Sequence, residues 1–163
     1  MLSTFSRSKL IENLIQQEQD GESFYIGDLT QIQALYNQWT LLMPRVEPFY
    51  AIKCNPNPQL VECLSKLPNI GFDCASTAEL SLALNFDIPE EKIIYANTSK
   101  GISHLRFAKE NRIKMMTFDN ESELVKIKSI FPEAELVIRI QVEEFESDCS
   151  FKEKFGASLK DAE

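Results

Sequence analysis

Three side chains of complementary chemistry stand in or at the end of short apolar stretches. Lys53 ends the apolar part of Pro48-Phe49-Tyr50-Ala51-Ile52-Lys53-Cys54-Asn55. Asp73 lies in Gly71-Phe72-Asp73-Cys74-Ala75-Ser76, and Arg139 breaks Leu136-Val137-Ile138-Arg139-Ile140. The first stretch reads as a strand, because aromatic and β-branched residues run up to Asn55-Pro56-Asn57-Pro58, which must turn. A lysine delivered by such a strand is either a surface cation with its stem laid along the protein or a buried amine that attacks carbonyl carbon as a Schiff-base former. A neighbouring aspartate can orient and charge-balance that amine. An arginine inside an apolar strand needs an acidic or anionic partner.

The elements that must position these groups follow a rhythm. Apolar strands are expected to begin at Phe49, Gly71, Ile93, Met115 and Val137, each 22 residues after the last. Helical patterns lie between them, carried by Leu60, Leu64 and Leu67, by Leu80 to Leu84, by Leu105, Phe107 and Ala108, and by Leu124, Ile127, Ile130 and Phe131. Strand, helix and strand at short constant spacing mean parallel strands with crossover helices. Five units without a break favour the first part of a TIM-type (β/α)8 barrel over an open doubly wound sheet, whose strand order reverses. Ser76-Thr77-Ala78-Glu79 and Asn120-Glu121-Ser122-Glu123 fit helix caps with Glu three positions on, and Asn57-Pro58 fits a cap followed by proline. A closed barrel needs eight units in about 250 residues. The chain of 163 residues is therefore expected to be an incomplete α/β barrel, over residues 29–163, from a larger or truncated protein. Residues 1–28 are read as a helix followed by a strand, Ser23–Asp28, that belongs with an absent β-domain.

In a barrel, chemistry gathers at the C-terminal strand ends. Here those ends carry Lys53 and Asn55, Asp73 and Ser76, Asn97, Asp119, and Arg139. Each has a plainer alternative. Asp73 and Arg139 could pair only with each other or with Lys53. Glu79 reads as a helix cap before it reads as a base, Asp119 could simply begin a turn, and His104 is expected on a helix surface. A buried lysine flanked by Asp and Arg is nonetheless the arrangement that a carbonyl-bearing cofactor such as pyridoxal phosphate requires.

Composition narrows the partners. A net charge of −8 argues against nucleic acid and anionic membrane surfaces as main partners. No apolar run reaches membrane-spanning length. The first 17 residues, interrupted by Glu12 and Asn13, read as an amphipathic helix and not as a signal peptide. The cysteines (Cys54, Cys63, Cys74 and Cys149) form no Cys-x-x-Cys pair and do not cluster with His104, so reduced thiols in a cytoplasmic protein and no metal site are expected.

The stretch from Pro48 to Asn55 resembles the cofactor-lysine motif of eukaryotic ornithine decarboxylases. Gly71 to Ser76 with Glu79, Ile93-Ile94-Tyr95-Ala96-Asn97, Met115-Met116-Thr117-Phe118-Asp119 and Lys154-Phe155-Gly156-Ala157 continue the likeness in order. It implies that Lys53 holds pyridoxal 5′-phosphate covalently and that L-ornithine displaces it, losing carbon dioxide to give putrescine in polyamine biosynthesis. It further implies that Asp73, Glu79 and Arg139 lie on the cofactor side and that Lys154 pairs across a homodimer interface. The family's phosphate loop, its ring-stacking histidine, its pyridine-nitrogen acid and the residues that choose among ornithine, arginine and lysine have no counterpart in these 163 residues, so the chain alone is expected to lack turnover. The resemblance also offers a second function. Lys100, Arg106, Lys109, Arg112 and Lys114 face a single acid, Glu110, in this stretch. Such a run is usually a solvated helix face. In this family the region docks the inhibitory protein antizyme, so Arg106, Lys109, Arg112 and Lys114 would let an inert relative act as a decoy. The acidic segment Glu143–Asp148 reads as a loop beside the fifth strand.

Overall fold

Among the described residues each β-strand is three or four residues long, and strands alternate with helices along the chain. The computed structural model describes residues 4–18, 21–141 and 156–162. Two helices, α1 (Thr4–Gln17) and α2 (Thr30–Leu42), precede β1 (Phe49–Ala51), α3 (Pro58–Ser65), β2 (Gly71–Cys74) and α4 (Thr77–Leu84). They are followed by β3 (Ile93–Tyr95), α5 (Ile102–Glu110), β4 (Met115–Phe118), α6 (Glu121–Ile130), β5 (Glu135–Ile138) and the short α7 (Leu159–Ala162). The strands form one parallel sheet in the order β1-β2-β3-β4-β5. Sequence order and spatial order are the same. That is the expected signature of a barrel wall, since a doubly wound sheet would reverse direction part way.

Three caps explain where α3, α4 and α6 begin. Asn57 accepts from the amides of Gln59 and Leu60, Ser76 from that of Glu79, and Asn120 from that of Glu123. In each case a side-chain oxygen satisfies donors that the first helical turn leaves open. The core lies between the sheet and α3–α6. Val61, Leu64, Leu80, Ala83, Leu105, Ala108 and Ile127 pack from the helices against Phe72, Cys74, Ile93, Tyr95 and Met116 of the strands.

Two expectations are corrected here. Residues 21–28 form no strand; Phe24, Tyr25 and Ile26 are exposed, because a strand needs a paired neighbour and no described residue supplies one. The fifth strand starts at Glu135, two residues before the expected Val137, because a tight turn from Phe131 to Ala134 shortens the connection. Its Leu136, Val137 and Ile138 are exposed. They stand in the last full strand of the sheet, with β4 on one side.

That edge is nevertheless begun on its far side. Ala157 forms a parallel bridge with Ile140, donating to the Arg139 carbonyl at 2.9 Å and accepting from the Gln141 amide at 2.8 Å. Gly156 makes the bridge possible. Its φ is +99°, and a Cβ there would stand 2.5 Å from Gln141 N and from the Ile140 carbonyl carbon. We expect Gly156→Ala to cost about 1–3 kcal/mol of local stability. It should deprotect the Ala157 and Gln141 amides in hydrogen exchange, and unchanged protection would refute the close-approach account.

Candidate functional site

Lys53 does not extend β1. The strand ends at Ala51, and Ile52–Cys54 close a single 3-10 turn that buries Ile52 and turns Lys53 outward. Of the two placements the sequence allows, the structure gives the exposed one and not the buried lysine that a cofactor site suggested. The sheet wall is open on this side, so nothing among the described residues covers the amine.

Asp73 sits on β2 directly beside Ala51 of β1 in the ladder. Its Oδ1 is buried and has no hydrogen-bond partner among the described residues. Burial pushes the carboxyl above the usual carboxylate range, the Lys53 ammonium opposes that shift, and the Glu79 carboxylate reinforces it. Lys53 and Asp73 thus sense each other across adjacent strand ends. An unsatisfied buried oxygen on the strand next to an exposed amine fits a group that needs both an attachment point and a hydrogen-bonding edge. Next to it, the Cys74 thiol is pushed up to about 12 by burial and by the carboxylates of Glu79 and Asp73, which makes it a core side chain and no nucleophile.

Glu79 behaves as the cap it resembles. Its Oε2 accepts from the Ala75 amide at 2.8 Å while its own amide donates to Ser76 Oγ at 3.2 Å. This reciprocal pair fixes the loop after Asp73. Ser76→Ala is expected to lower stability by about 1 kcal/mol, read as a lower urea midpoint at unchanged slope; a null effect would remove the cap from the account.

Arg139 pairs neither with Asp73 nor with Lys53. Its guanidinium donates to Asp119 Oδ2 at 2.5 Å and to Thr98 Oγ1 at 3.0 Å. The sheet order explains the choice, since β4 adjoins β5 while β2 lies three strands away. Asp119 is therefore more than the start of a turn. Burial alone would raise its carboxyl, but hydrogen bonds from Arg139 and Asn120 hold it below the usual range. Asn97 donates to the Ala75 carbonyl at 3.1 Å and ties the β3 end to the β2 end. His104 is half-buried, not on the surface, with Nδ1 3.3 Å from the Tyr95 hydroxyl.

One constellation escaped the sequence. Lys100 counted among the surface basic residues, yet its side chain is fully buried. Its Nζ donates to the Asn97 carbonyl at 2.9 Å, to the Thr117 carbonyl at 2.7 Å and to Glu123 Oε1 at 3.0 Å. Glu123, itself 3 % exposed, also pairs with Lys126 at 2.5 Å. The remaining basic residues Arg106, Lys109, Arg112 and Lys114 are exposed. They divide between two hollows, Arg106 and Lys109 beside Ser129 and Ile130, and Arg112 and Lys114 among Glu90, Glu91 and Glu135. Lys154, the acidic segment Glu143–Asp148 and Cys149 lie outside the described residues. Among the described residues no helix is long and apolar enough to cross a membrane, and no group of three or more His, Cys, Asp or Glu is placed to hold a metal ion.

Residues 29–163 match the model of the pyridoxal-dependent decarboxylase, pyridoxal binding domain family. The chain is 40% identical over 148 residues to ornithine decarboxylase of Mus musculus, covering 91% of this chain and 32% of that protein. It is 41% identical over 150 residues to antizyme inhibitor 2 of Xenopus laevis, covering 92% and 33%. The crystal structure of the arginine decarboxylase of Paramecium bursaria Chlorella virus superposes with a TM-score of 0.86 at 33% identity, covering 93% of this chain and 41% of that one. The chain thus spans about a third of the length of the curated relatives it matches. Strand order, the lysine after β1, the acid beside it and the family match lead to one assignment: the chain belongs to the pyridoxal-dependent decarboxylases, as part of their pyridoxal binding domain.

Proposed function

We propose that this chain supplies the covalent anchor and one wall of the active site in a pyridoxal phosphate-dependent decarboxylase that converts L-ornithine to putrescine. The observation that carries the reading is the juxtaposition of Lys53, exposed at the end of β1, with Asp73, whose buried Oδ1 lacks a partner on the adjacent strand. Lys53 holds the cofactor through its amine, Asp73 sets the charge around that amine, and Glu79 holds the loop that follows Asp73. Arg139, oriented by Asp119 and Thr98, offers a fixed positive charge from the far side of the wall. When bound, the cofactor supplies an electron sink for loss of the substrate carboxylate.

Residues 29–163 act as the barrel part, and residues 1–28 belong with a second, β-rich unit that gives residues 21–28 their missing partner. Homodimer contact through Lys154 is part of the same proposal. The relatives' names support ornithine as substrate, with arginine as the competing choice. The setting is cytoplasmic, in keeping with the free thiols of Cys54, Cys63 and Cys74. These 163 residues alone should release no carbon dioxide from ornithine. Measurable release by the pure chain would overturn that part.

The deciding experiment is borohydride reduction of the pure chain with pyridoxal phosphate, followed by peptide mass mapping. An adduct concentrated at Lys53 is expected. Labelling scattered over surface lysines would sink the anchor reading.

A second reading rests on the likeness to antizyme inhibitor 2 together with the exposure of Arg106, Lys109, Arg112 and Lys114. In it the chain binds antizyme and performs no chemistry. Antizyme capture by the pure chain, abolished by reversing the charge of Arg106 and Lys109, would favour this reading if Lys53 remains unlabelled.

A further inference from the structure

Lys100 is a fully buried ammonium in a place where a methionine of similar volume would pack at far lower solvation cost. What it does there is specific. It bridges the Asn97 carbonyl, two residues past β3, to the Thr117 carbonyl of β4, and Glu123 of α6 neutralises it from the other side. Its own amide donates to the same carboxylate at 3.2 Å, so backbone and side chain are anchored together. The Tyr95 ring lies 5.8 Å from the nitrogen, and the Tyr95 hydroxyl reaches His104 on α5. Asn97 immediately precedes Thr98, and Thr117 lies two residues before Asp119. Thr98 and Asp119 both accept from the Arg139 guanidinium.

We propose that Lys100 is a positioning residue: it clamps the carbonyl ends of β3 and β4 and thereby sets Thr98 and Asp119 on Arg139. A point-like ammonium with three donors suits two carbonyls and a carboxylate that converge on one spot, whereas a planar guanidinium does not. The clamp itself is independent of any ligand. Its consequence for cofactor capture rests on the reading given above.

The test uses the full chain and two readouts. The first is solvent exchange of the Arg139 side-chain N–H signals by NMR. Lys100→Met is expected to speed that exchange about tenfold, while Val61→Ala, a core cavity on α3, leaves it unchanged. Unaltered Arg139 exchange in folded Lys100→Met would show that Lys100 only staples the core. Should Lys100→Met not fold, Lys100→Arg decides, because it keeps the charge and loses the geometry. An acceleration in Lys100→Arg supports the clamp, and unchanged Arg139 exchange overturns it. The second readout is retention of pyridoxal phosphate at Lys53. Lys100→Met and Arg139→Ala should each weaken it about tenfold, and the double variant should lose no more than either single change. Additive losses would separate Lys100 from Arg139 and refute the positioning role. If the unmodified chain captures no pyridoxal phosphate at Lys53, the functional reading fails and the NMR result alone settles the clamp.

Discussion

Glu123→Ala lowers the stability of the folded chain by about 3–5 kcal/mol, the largest loss expected from any single charged residue described. The carboxylate neutralises Lys100, whose side chain has no exposure, and it anchors Lys126 on its other oxygen. Without Glu123 the ammonium keeps only two carbonyls, Asn97 and Thr117. Its one escape is to release its proton. For an ordinary lysine that costs about 5 kcal/mol at pH 7, at 1.36 kcal/mol per pKa unit, which caps the loss. Burial already pulls Lys100 below its usual value, so the cap lies lower still and falls as pH rises. Against the 5–15 kcal/mol typical of a domain, such a loss removes about a fifth or more of the whole margin. Urea unfolding at several pH values reads it directly. A midpoint shift worth less than about 1 kcal/mol, the range of an exposed ion pair, would show that the pair is unimportant.

Glu123 also fixes a pH dependence. Burial by itself would raise its carboxyl, but hydrogen bonds from Lys126 and Lys100 and the Lys100 charge hold it below the ordinary 4.5. A group depressed in the folded state contributes stability that is complete above its unfolded value and is lost as pH falls through the folded one. Acid unfolding should therefore steepen below 4.5, and Glu123→Gln should flatten that part of the curve.

The repeat, the parallel order and three helix caps were legible because each is written locally. The rhythm shows in the spacing of successive apolar stretches, and a cap needs only four residues. What was not legible joins distant units. Lys100 and Glu123 are 23 positions apart, and nothing near Lys100 marks it as turning inward rather than joining Arg106 and Lys109 at the surface. Glu123 looked like a capping partner of Asn120 because the spacing fits. In the fold its amide is capped while its carboxylate goes to Lys100 and Lys126. The acid for Arg139 was foreseen, but Asp119 and not Asp73 fills the role, and strand order alone settles that choice. The sequence leaves Lys53 either at the surface or buried at a strand end, and burial of its neighbour does not decide between them. Ile52 is indeed buried, but the chain winds into a turn there and aims the next side chain outward.

Lys53→Arg should abolish selective capture of pyridoxal phosphate, with the adduct in the peptide around residue 53 falling at least about 100-fold. Arginine cannot release its proton near neutral pH and so cannot condense with an aldehyde. The chain has twelve lysines, so an unselective reagent would place less than a tenth of its label at any one of them. Enrichment at Lys53 above that fraction measures what the neighbouring groups add. Asp73 is the acidic neighbour on the adjacent strand, and Asp73→Asn keeps the shape while removing the carboxylate. Selective capture in Asp73→Asn should fall about tenfold, equivalent to about 1.4 kcal/mol, with the remaining label spread over exposed lysines such as Lys66. Two results would argue against the site. Equal labelling of Lys53 and Lys66 in the unmodified chain would mean that exposure alone governs the reaction. Full selectivity in Asp73→Asn would mean that the buried, unpartnered Oδ1 serves some other group. Selectivity that requires both side chains is what separates an anchor held in a site from a lysine that merely faces water.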